Sequence, residues 1–359
     1  MAPPVQKAEP IAASPTQTSI RRQGSGPAAG MLARGLGADP KVTRVPSPVT
    51  ATCQDPGPST AGLAVITVAH HSGGVLPALA ADLSRQGEPL PLWLVVDNSP
   101  ETNPVAPETL VPRPGGGRPR LRLLRGEEGD GFGVGCNRAL SWLEAHGWEG
   151  WVWLLNPDTA LPRGDELRCL EAALAKVDPR SLVGTAVDDG HGGLEASAGW
   201  FTPGLRFRSR RLDSGGGGAA EPQRLDWLSG CSLALRPSAH TPAARFDPAF
   251  PLYYEDMDLC LRLGRAGAPV LWLPQPRVTH RRGQGSGSTS PRRWRLSTIS
   301  YLRFLRRHSP GWVLWVRSLR LLAVATARFP LQPGRSRAVL AGALEACEGF
   351  RQSNGRPAR

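Results

Sequence analysis

The 359 residues, 40% of them hydrophobic, are enough to bury the core of one large domain or of two medium ones. The net charge is +13, but the aromatic residues lack the stacking pattern of RNA-binding proteins, so nucleic-acid binding is disfavoured. No segment stays apolar over the roughly 18 residues of a transmembrane helix, and no N-terminal stretch resembles a signal peptide. The six cysteines include no Cys-x-x-Cys pair and indicate no disulfide framework, so we expect a cytoplasmic protein without a zinc site.

The first 60 residues differ in composition from the rest of the chain. They are rich in Pro, Ala, Ser, Thr and Gly and nearly lack large apolar side chains. Such a segment cannot bury enough apolar surface to offset its chain entropy. We therefore predict a disordered N-terminal extension over residues 1–60.

From Leu63 onward, apolar strand-like runs alternate with segments of helical spacing. The strand-like runs are "LAVITV", "PLWLVVD", "PRLRLL", "WVWLL" and "PVLWLPQPRVTH", and the helical segments include "VLPALAADLSRQ" and "DELRCLEAALAKV". This alternation is typical of an α/β fold with a mostly parallel sheet.

Polar residues follow three of these strands at the point where each one ends. They are Ala69-His70-His71, Asp97-Asn98 and Asn156-Pro157-Asp158. Ligands of parallel α/β sheets bind beyond these strand ends, which predicts a site there. Asp97 could accept hydrogen bonds from a ribose or base, or cap the turn at "DNS". Pro157 fixes the direction of Asp158, which suits a hard divalent cation or a simple turn cap.

Two further segments combine charged groups with a helix start. The loop "GDGFGVGCNRAL" does not fit the Gly-x-Gly-x-x-Gly fingerprint, which disfavours a dinucleotide-binding oxidoreductase. Asn137 and Arg138 could reach a ligand there, or the glycines could serve only a tight strand-to-helix turn. In "YYEDMDLCLRL", the acids could complement the helix dipole or supply a general base.

The C-terminal part is basic. No Asp or Glu occurs between Leu259 and Leu344. Helices are predicted at about 291–308 and 310–328, and the mix of Trp, Leu, Val and Arg in the second suits a helix lying in a membrane interface. The alternative is that this helix packs on the rest of the protein with its arginines in water. The residues after Pro330 are predicted to be weakly structured.

Taken in order, these motifs resemble the inverting nucleotide-sugar glycosyltransferases of family 2, and most closely the rhamnosyltransferase-like branch. The resemblance runs from about Leu63 to Gly283. It is carried by "VAHHS", "VVDNS", "GFGVGCNRAL", "LLNPDTAL", "WLSGCSLALRP", "FPLYYEDMDLCLRLGRAG" and "HRRG". It departs from the family pattern at Ala69-His70-His71, where hydroxyl and amide side chains are usual, and at Gly129-Asp130, Ala139 and Pro237.

The resemblance implies a GT-A type fold, with a mostly parallel Rossmann-like central sheet flanked by helices and followed by C-terminal helices. It implies a catalytic domain over 61–290, with a nucleotide-binding half at 61–160 and an acceptor half at 161–290. A basic helical region at 291–330 and a tail at 331–359 follow. The implied activity is transfer of a sugar from a nucleotide-diphosphate donor to a hydroxyl of a glycan or lipid-linked acceptor, in cell-surface polysaccharide synthesis.

The resemblance also assigns roles to individual residues. Asp256 would be the catalytic base, with Glu255 orienting it or the acceptor, and Asp158, alone or with His280, would hold Mg²⁺ or Mn²⁺. The donor would contact Ala69, His70, Asp97, Asn137, Arg138 and Asn156, and the acceptor side would include Trp227, Ser229 and Gly230. The enzyme would be cytoplasmic, with a peripheral contact between its basic helices and the membrane. The alternatives are a sugar-nucleotide nucleotidyltransferase or a non-catalytic sugar-nucleotide-binding paralogue.

Overall fold

The computed structural model describes residues 62–87, 92–110, 120–191, 193–195, 197–202, 209–212, 221–281 and 290–354. The predicted disordered extension at 1–60 lies outside these residues. So does most of the Gly/Ser-rich segment that follows His280.

The described residues form strands and helices in the alternating order that the sequence predicts. The strands are β1 (Leu63–Ala69), β2 (Leu92–Asp97), β3 (Arg120–Arg125), β4 (Trp151–Leu155), β5 (Thr159–Ala160), β6 (Leu182–Asp188), β7 (Ala198–Phe201), β8 (Ser209–Arg211), β9 (Gln223–Arg224), β10 (Trp227–Leu228), β11 (Ser232–Leu235) and β12 (Val270–His280). The helices are α1 (Leu76–Leu83), α2 (Phe132–Ala145), α3 (Glu166–Leu174), α4 (Glu255–Arg265), α5 (Pro291–His308), α6 (Gly311–Ala327) and α7 (Pro333–Asn354).

Within the described residues, the main sheet has the order β3-β2-β1-β4-β11-β6-β12-β5, with β9 pairing to β12. The strands β3, β2, β1 and β4 are parallel, as are β6 and β12. Strand β11 lies antiparallel between β4 and β6. A small second sheet has the order β10-β7-β8. The mostly parallel sheet with flanking helices and C-terminal helices confirms the predicted GT-A type fold.

The central strands are buried on both faces, which explains their continuous apolar sequences. In β4, Trp151, Trp153 and Leu155 pack on one side of the sheet with α1 and α3. Val152 and Leu154 pack on the other side with α2 and α4. The chain leaves β1 toward β2 on one side and returns to β4 on its other side. This reversal creates a crevice at the carboxyl ends of β1 and β4, where ligands of such sheets bind.

The C-terminal helices form a separate hydrophobic cluster, which corrects one prediction. Residues 331–359 were expected to be weakly structured, but Pro333–Asn354 is a helix packed against α5. Small residues make this packing possible: Ala338, Gly342 and Ala346 are buried at intervals of four, and a Cβ at Gly342 would meet the carbonyl of Arg295. The pattern of small residues carries a weak hydrophobic signal, which is why the helix was missed.

Among the described residues, Cys136, Cys231, Cys260 and Cys347 are free thiols.

Candidate functional site

The polar residues after β1 and β2 lie side by side, as predicted. Ala69 and Asp97 are paired in the strand register, and the main chain of Asn98 donates to the Ala69 carbonyl at 2.8 Å. The His70 Nδ1 lies 3.0 Å from the Asn98 carbonyl oxygen, and the His71 amide donates to Ser99. His71 has a φ of 53°, a left-handed conformation that is uncommon for histidine. The imidazole of His70 is exposed at this edge of the sheet.

The Asp97 carboxylate is buried and accepts three hydrogen bonds from its own surroundings. Oδ1 accepts from the Ser99 amide at 2.9 Å, and Oδ2 accepts from the Val105 amide and from Arg125, each at 2.8 Å. The Arg125 guanidinium also donates to the Ser99 carbonyl. Asp97 therefore holds the segment between Ser99 and Val105 in place. This is the capping role, one of the two roles that the sequence leaves open for Asp97.

The glycines of "GDGFGVGCN" serve close packing around the start of α2. The helix begins at Phe132, within the glycine run, so Asn137 lies in its second turn. A Cβ at Gly135 would stand 2.7 Å from the Val68 side chain, and a Cβ at Gly131 would collide with the Pro251 carbonyl. The absence of side chains lets α2 lie directly against β1 and against the segment that precedes α4.

Asn137 and Arg138 are also engaged with the protein. The Asn137 amide donates to the Phe246 carbonyl at 2.8 Å and accepts from the Phe246 amide at 2.9 Å, which fixes that segment against α2. Arg138 pairs with Asp130 at 3.3 Å and with Glu127 at 3.6 Å. Both residues hold the loops around the site in place.

Asp158 and His280 converge, although 122 positions separate them in the sequence. Strand β5 pairs with the end of β12, which sets Thr159 opposite His280. The His280 Nε2 then lies 3.1 Å from Asp158 Oδ1. On its other side, Nδ1 lies 3.1 Å from both carboxylate oxygens of Glu195, a residue that no sequence motif indicates.

The surroundings of His280 strongly favour its imidazolium form. Burial acts against the charge, but the Cys231 sulfur and the carboxylates of Asp158 and Glu195 outweigh it and raise the pKa of His280 to about 12. Among the described residues, no group of three His, Cys, Asp or Glu side chains is arranged to hold a metal ion. A cation could bind His280 only by displacing the Nε2 proton, because metal ligands must be deprotonated. Asp158 and His280 would then offer an oxygen and a nitrogen that the cation shares with non-protein ligands.

The turn between β10 and β11 connects this pair to the acids of α4. The Gly230 amide donates to Asp256 Oδ2 at 2.8 Å, and the Asn156 amide donates to the Cys231 carbonyl at 3.1 Å. A Cβ at Gly230 would stand 2.7 Å from the Phe132 ring, so only glycine fits between α2 and Asp256. Ser229 accepts from the Cys231 amide and shapes the same turn.

The segment before α4 has an unusual backbone. Tyr253 and Tyr254 have φ values of 64° and 67°, two consecutive left-handed residues with bulky side chains. Such conformations persist only where the surrounding structure imposes them, and they cluster at functional sites. They turn the chain so that Glu255 and Asp256 form the first turn of α4, where both acids are buried.

Trp227 is 2% exposed and packs among the side chains beneath this turn. Its indole Nε1 is buried without a hydrogen-bond partner among the described residues. Trp227, Ser229 and Gly230 therefore lie together with Asp256, at the end of the sheet that also carries Asn156.

Two comparisons link the chain to known enzymes. It is 28% identical over 284 residues to the N-acetylglucosaminyl-diphospho-decaprenol L-rhamnosyltransferase of Mycobacterium tuberculosis, covering 72% of this chain and 88% of that protein. It is 31% identical over 83 residues to the rhamnosyltransferase WbbL of Escherichia coli, covering 23% of this chain and 31% of that protein.

Among solved structures, the mannosyltransferase PcManGT from Pyrobaculum calidifontis, in complex with GDP-Man and Mn²⁺, is 13% identical with a TM-score of 0.46. The match covers 83% of this chain and 89% of that one. No protein-family model matches the chain. The similarity to the two rhamnosyltransferases supports a glycosyltransferase, and it fits the resemblance of the motifs to the rhamnosyltransferase-like branch of family 2.

Proposed function

We propose that this glycosyltransferase is metal-dependent and inverting, and that it moves a sugar from a nucleotide-diphosphate donor to a hydroxyl of a lipid-linked or glycan acceptor in cell-surface polysaccharide synthesis. The observation that carries the proposal is the arrangement around the β10–β11 turn. Gly230 contacts Asp256 on one side of this turn, and Cys231 contacts Asn156 and His280 on the other. The proposed base, Asp256, and the proposed cation-binding pair, Asp158 and His280, therefore both lie next to the β10–β11 turn.

The metal part of the proposal rests on Asp158 and His280. Once His280 has released its Nε2 proton, one carboxylate oxygen and one imidazole nitrogen fit a Mg²⁺ or Mn²⁺ ion that takes its remaining ligands from water and diphosphate oxygens. The two side chains are 20% and 12% exposed, so they are accessible without being fully solvated. A divalent cation held here would neutralise the charge of the leaving diphosphate.

The base in this proposal is Asp256. The hydrogen bonds from the Gly230 and Met257 amides fix its carboxylate at the start of α4. It would take the proton of the acceptor hydroxyl while that oxygen bonds to the anomeric carbon. The bond between this carbon and the donor diphosphate breaks on the opposite face, so a single displacement inverts the configuration. Glu255, the preceding residue, would orient the base or the acceptor.

The other predicted site residues receive different proposed roles, according to their burial and their hydrogen-bond partners. His70 and Asn156, which lie at strand ends and are not fully buried, are proposed to contact the donor together with the main chain of Ala69. Asp97, Asn137 and Arg138 are proposed to support the donor site by holding its loops, because their polar groups already have partners. Trp227, Ser229 and Gly230 are proposed to form the acceptor side.

The name of the relative supports a proposal for the substrates. The Mycobacterium tuberculosis protein is named for rhamnose transfer to an N-acetylglucosaminyl-diphospho-decaprenol. We propose L-rhamnose as the sugar and a polyprenyl-diphosphate-linked glycan as the acceptor. We also propose that the reaction takes place in the cytoplasm, and that the basic C-terminal helices contact the membrane that carries such an acceptor.

The test is sugar transfer from UDP-, GDP- and dTDP-linked donors in the presence of Mn²⁺, with a lipid-linked acceptor. We expect Asp256→Asn to lower the rate by about 10²- to 10⁴-fold. Asp158→Ala is expected to weaken Mn²⁺ binding and donor turnover together. The matched control is Asp178→Asn, which changes a surface acid that pairs with Arg180. Normal turnover in both site variants would contradict the proposal, and donor binding without any transfer would favour the non-catalytic paralogue.

A further inference from the structure

Helix α6 presents a continuous apolar face to the outside of the molecule. Only Val313, Leu321 and Ala325 of this helix are buried in the C-terminal cluster. On the opposite side, large apolar side chains recur at intervals of three and four residues, which places them on one face. We call these residues the outer face of α6; they are Trp312, Trp315, Val316, Leu319 and Leu322, exposed by 46%, 70%, 55%, 62% and 37%.

The outer face continues beyond the end of the helix. Phe329 is 38% exposed and Leu331 is 84% exposed in the connection to α7. Of the eight large hydrophobic residues exposed in the described chain, only Leu344 lies outside this stretch. Contiguous exposed apolar surface of this kind marks an interaction site, because isolated exposed apolar residues are the ordinary case.

The border of the outer face is cationic. Arg320 is exposed on α6, Arg328 follows its last turn, and Arg337 of α7 lies with its guanidinium 5.6 Å from the centre of the Phe329 ring. No Asp or Glu occurs in the sequence between Leu259 and Leu344. The tryptophans add side chains that are favoured at the boundary between apolar and aqueous phases.

An exposed apolar face bordered by arginines favours an anionic lipid bilayer over a second copy of the chain. A second copy of the chain meeting this face in a two-fold dimer would bring the same arginines together, which costs energy through like-charge repulsion. A bilayer with anionic headgroups accepts both the apolar side chains and the arginines. None of the helices in the described part of the chain is long and apolar enough to cross a membrane, so α6 would lie on the surface.

We propose that α6 lies in the interface of an anionic lipid bilayer, parallel to the surface over roughly 25 Å, with its outer face among the upper acyl chains and the arginines that border this face, Arg320, Arg328 and Arg337, at the headgroups. This inference deepens the membrane contact that the proposed function gives to the C-terminal helices: it specifies which helix, which side and which lipid charge mediate the contact. Vesicle binding can be measured without sugar transfer, so a failure of this inference is distinguishable from a failure of the proposed reaction.

The test measures sedimentation of the full chain with vesicles of phosphatidylcholine containing phosphatidylglycerol, and with vesicles of phosphatidylcholine alone. We expect binding to the anionic vesicles that weakens as salt is raised. The double variant Trp315→Gln/Leu319→Gln should bind roughly tenfold more weakly or worse, because two large apolar side chains no longer enter the bilayer. Both residues are exposed, so the variant should fold, and its circular dichroism and thermal transition check this.

The matched control is Leu344→Gln, which removes an apolar side chain 68% exposed on α7, outside the outer face. Its vesicle binding should equal that of the wild type. Three results would overturn the proposal: no binding of the wild type to anionic vesicles, equal binding of the double variant, or equal loss in the Leu344→Gln control. A wild-type dimer that the double variant abolishes, without vesicle binding, would assign the outer face to a second copy of the chain instead.

Discussion

At the scale of single residues, the position of His280 depends on Glu195. The Glu195 carboxylate lies against Nδ1, and this leaves Nε2 directed at Asp158. Carboxylates that hold a metal-binding histidine in this way commonly change metal affinity by about 10- to 100-fold when they are removed. Glu195 would therefore act as a positioning residue for the proposed cation site.

We predict that Glu195→Ala weakens Mn²⁺ binding by about 10- to 100-fold, measured by electron paramagnetic resonance in the absence of donor. Glu195→Gln, which keeps an oxygen acceptor for Nδ1, should restore part of the affinity. Glu144→Ala serves as the control, because Glu144 is a 64% exposed acid that pairs with Arg245. Unchanged Mn²⁺ affinity in Glu195→Ala would show that this carboxylate has no positioning role.

Residue types could be predicted from the sequence, but their partners could not. A carboxylate that ends a buried strand has the same sequence pattern whether it binds a ligand or caps a loop, and Asp97 makes the bonds of a cap. The sequence connects His280 with Asp158 only through the family resemblance. The geometry that joins them is the pairing of β12 with β5, a strand of two residues that has no sequence signal of its own. Glu195 follows β6 in a segment without a motif, so no local signal identified it.

At the scale of elements, the glycines at the N-terminal end of α2 allow this helix to pack closely against β1. We predict that Gly135→Ala lowers the free energy of unfolding by about 1–3 kcal/mol, because the new methyl group would stand 2.7 Å from Val68. Gly74→Ala is the matched control, since no atom lies within 4 Å of a Cβ placed there. Urea unfolding measures both. Equal stability of the two variants would mean that α2 can move away from β1 without cost.

The elements that the sequence predicts well are those with a strong hydrophobic pattern of their own. Strands β1, β2 and β4 and helices α3 to α6 have long apolar runs or periodic patterns, which indicate the element whatever its tertiary neighbours are. The two-residue strands β5, β9 and β10 and the start of α2 depend on neighbours distant in the sequence. Helix α7 was missed because small residues, not large apolar ones, form its contact with α5.

At the scale of the whole molecule, the parallel half of the sheet could be predicted from the alternation of strands and helices in the sequence. The antiparallel insertion of β11 between β4 and β6 could not be predicted in this way.

Another long-range feature joins the acids of α4 to the C-terminal helices. The fully buried Asp258 accepts from Arg262 at 2.7 Å and lies 2.8 Å from the Nε2 of His308, the last residue of α5. Arg265 donates to the Nδ1 of His308, so Nε2 carries the proton that Asp258 accepts.

Asp258 should therefore be a determinant of stability for the complete fold. Burial opposes its charge, but hydrogen bonds from His308 and Arg262 hold the pKa of Asp258 below the usual value of 3.8. Removal of one partner of a buried ionic network typically costs about 3–5 kcal/mol, and we expect Asp258→Ala to lower the free energy of unfolding by this amount at neutral pH. Glu345→Ala, which breaks the exposed pair with Arg295, should cost about 0–1 kcal/mol.

The lowered pKa also sets the direction of a pH effect. Because the carboxyl group binds its proton less readily in the folded state, its contribution is complete well above the unfolded pKa and is lost as the pH falls through the folded value. The stability difference between wild type and Asp258→Ala, measured by urea unfolding, should thus be constant near neutrality and shrink as the pH falls below about 4. A difference that stays the same into the acidic range would mean that Asp258 acts through its shape and packing, and that charge does not join α4 to α5.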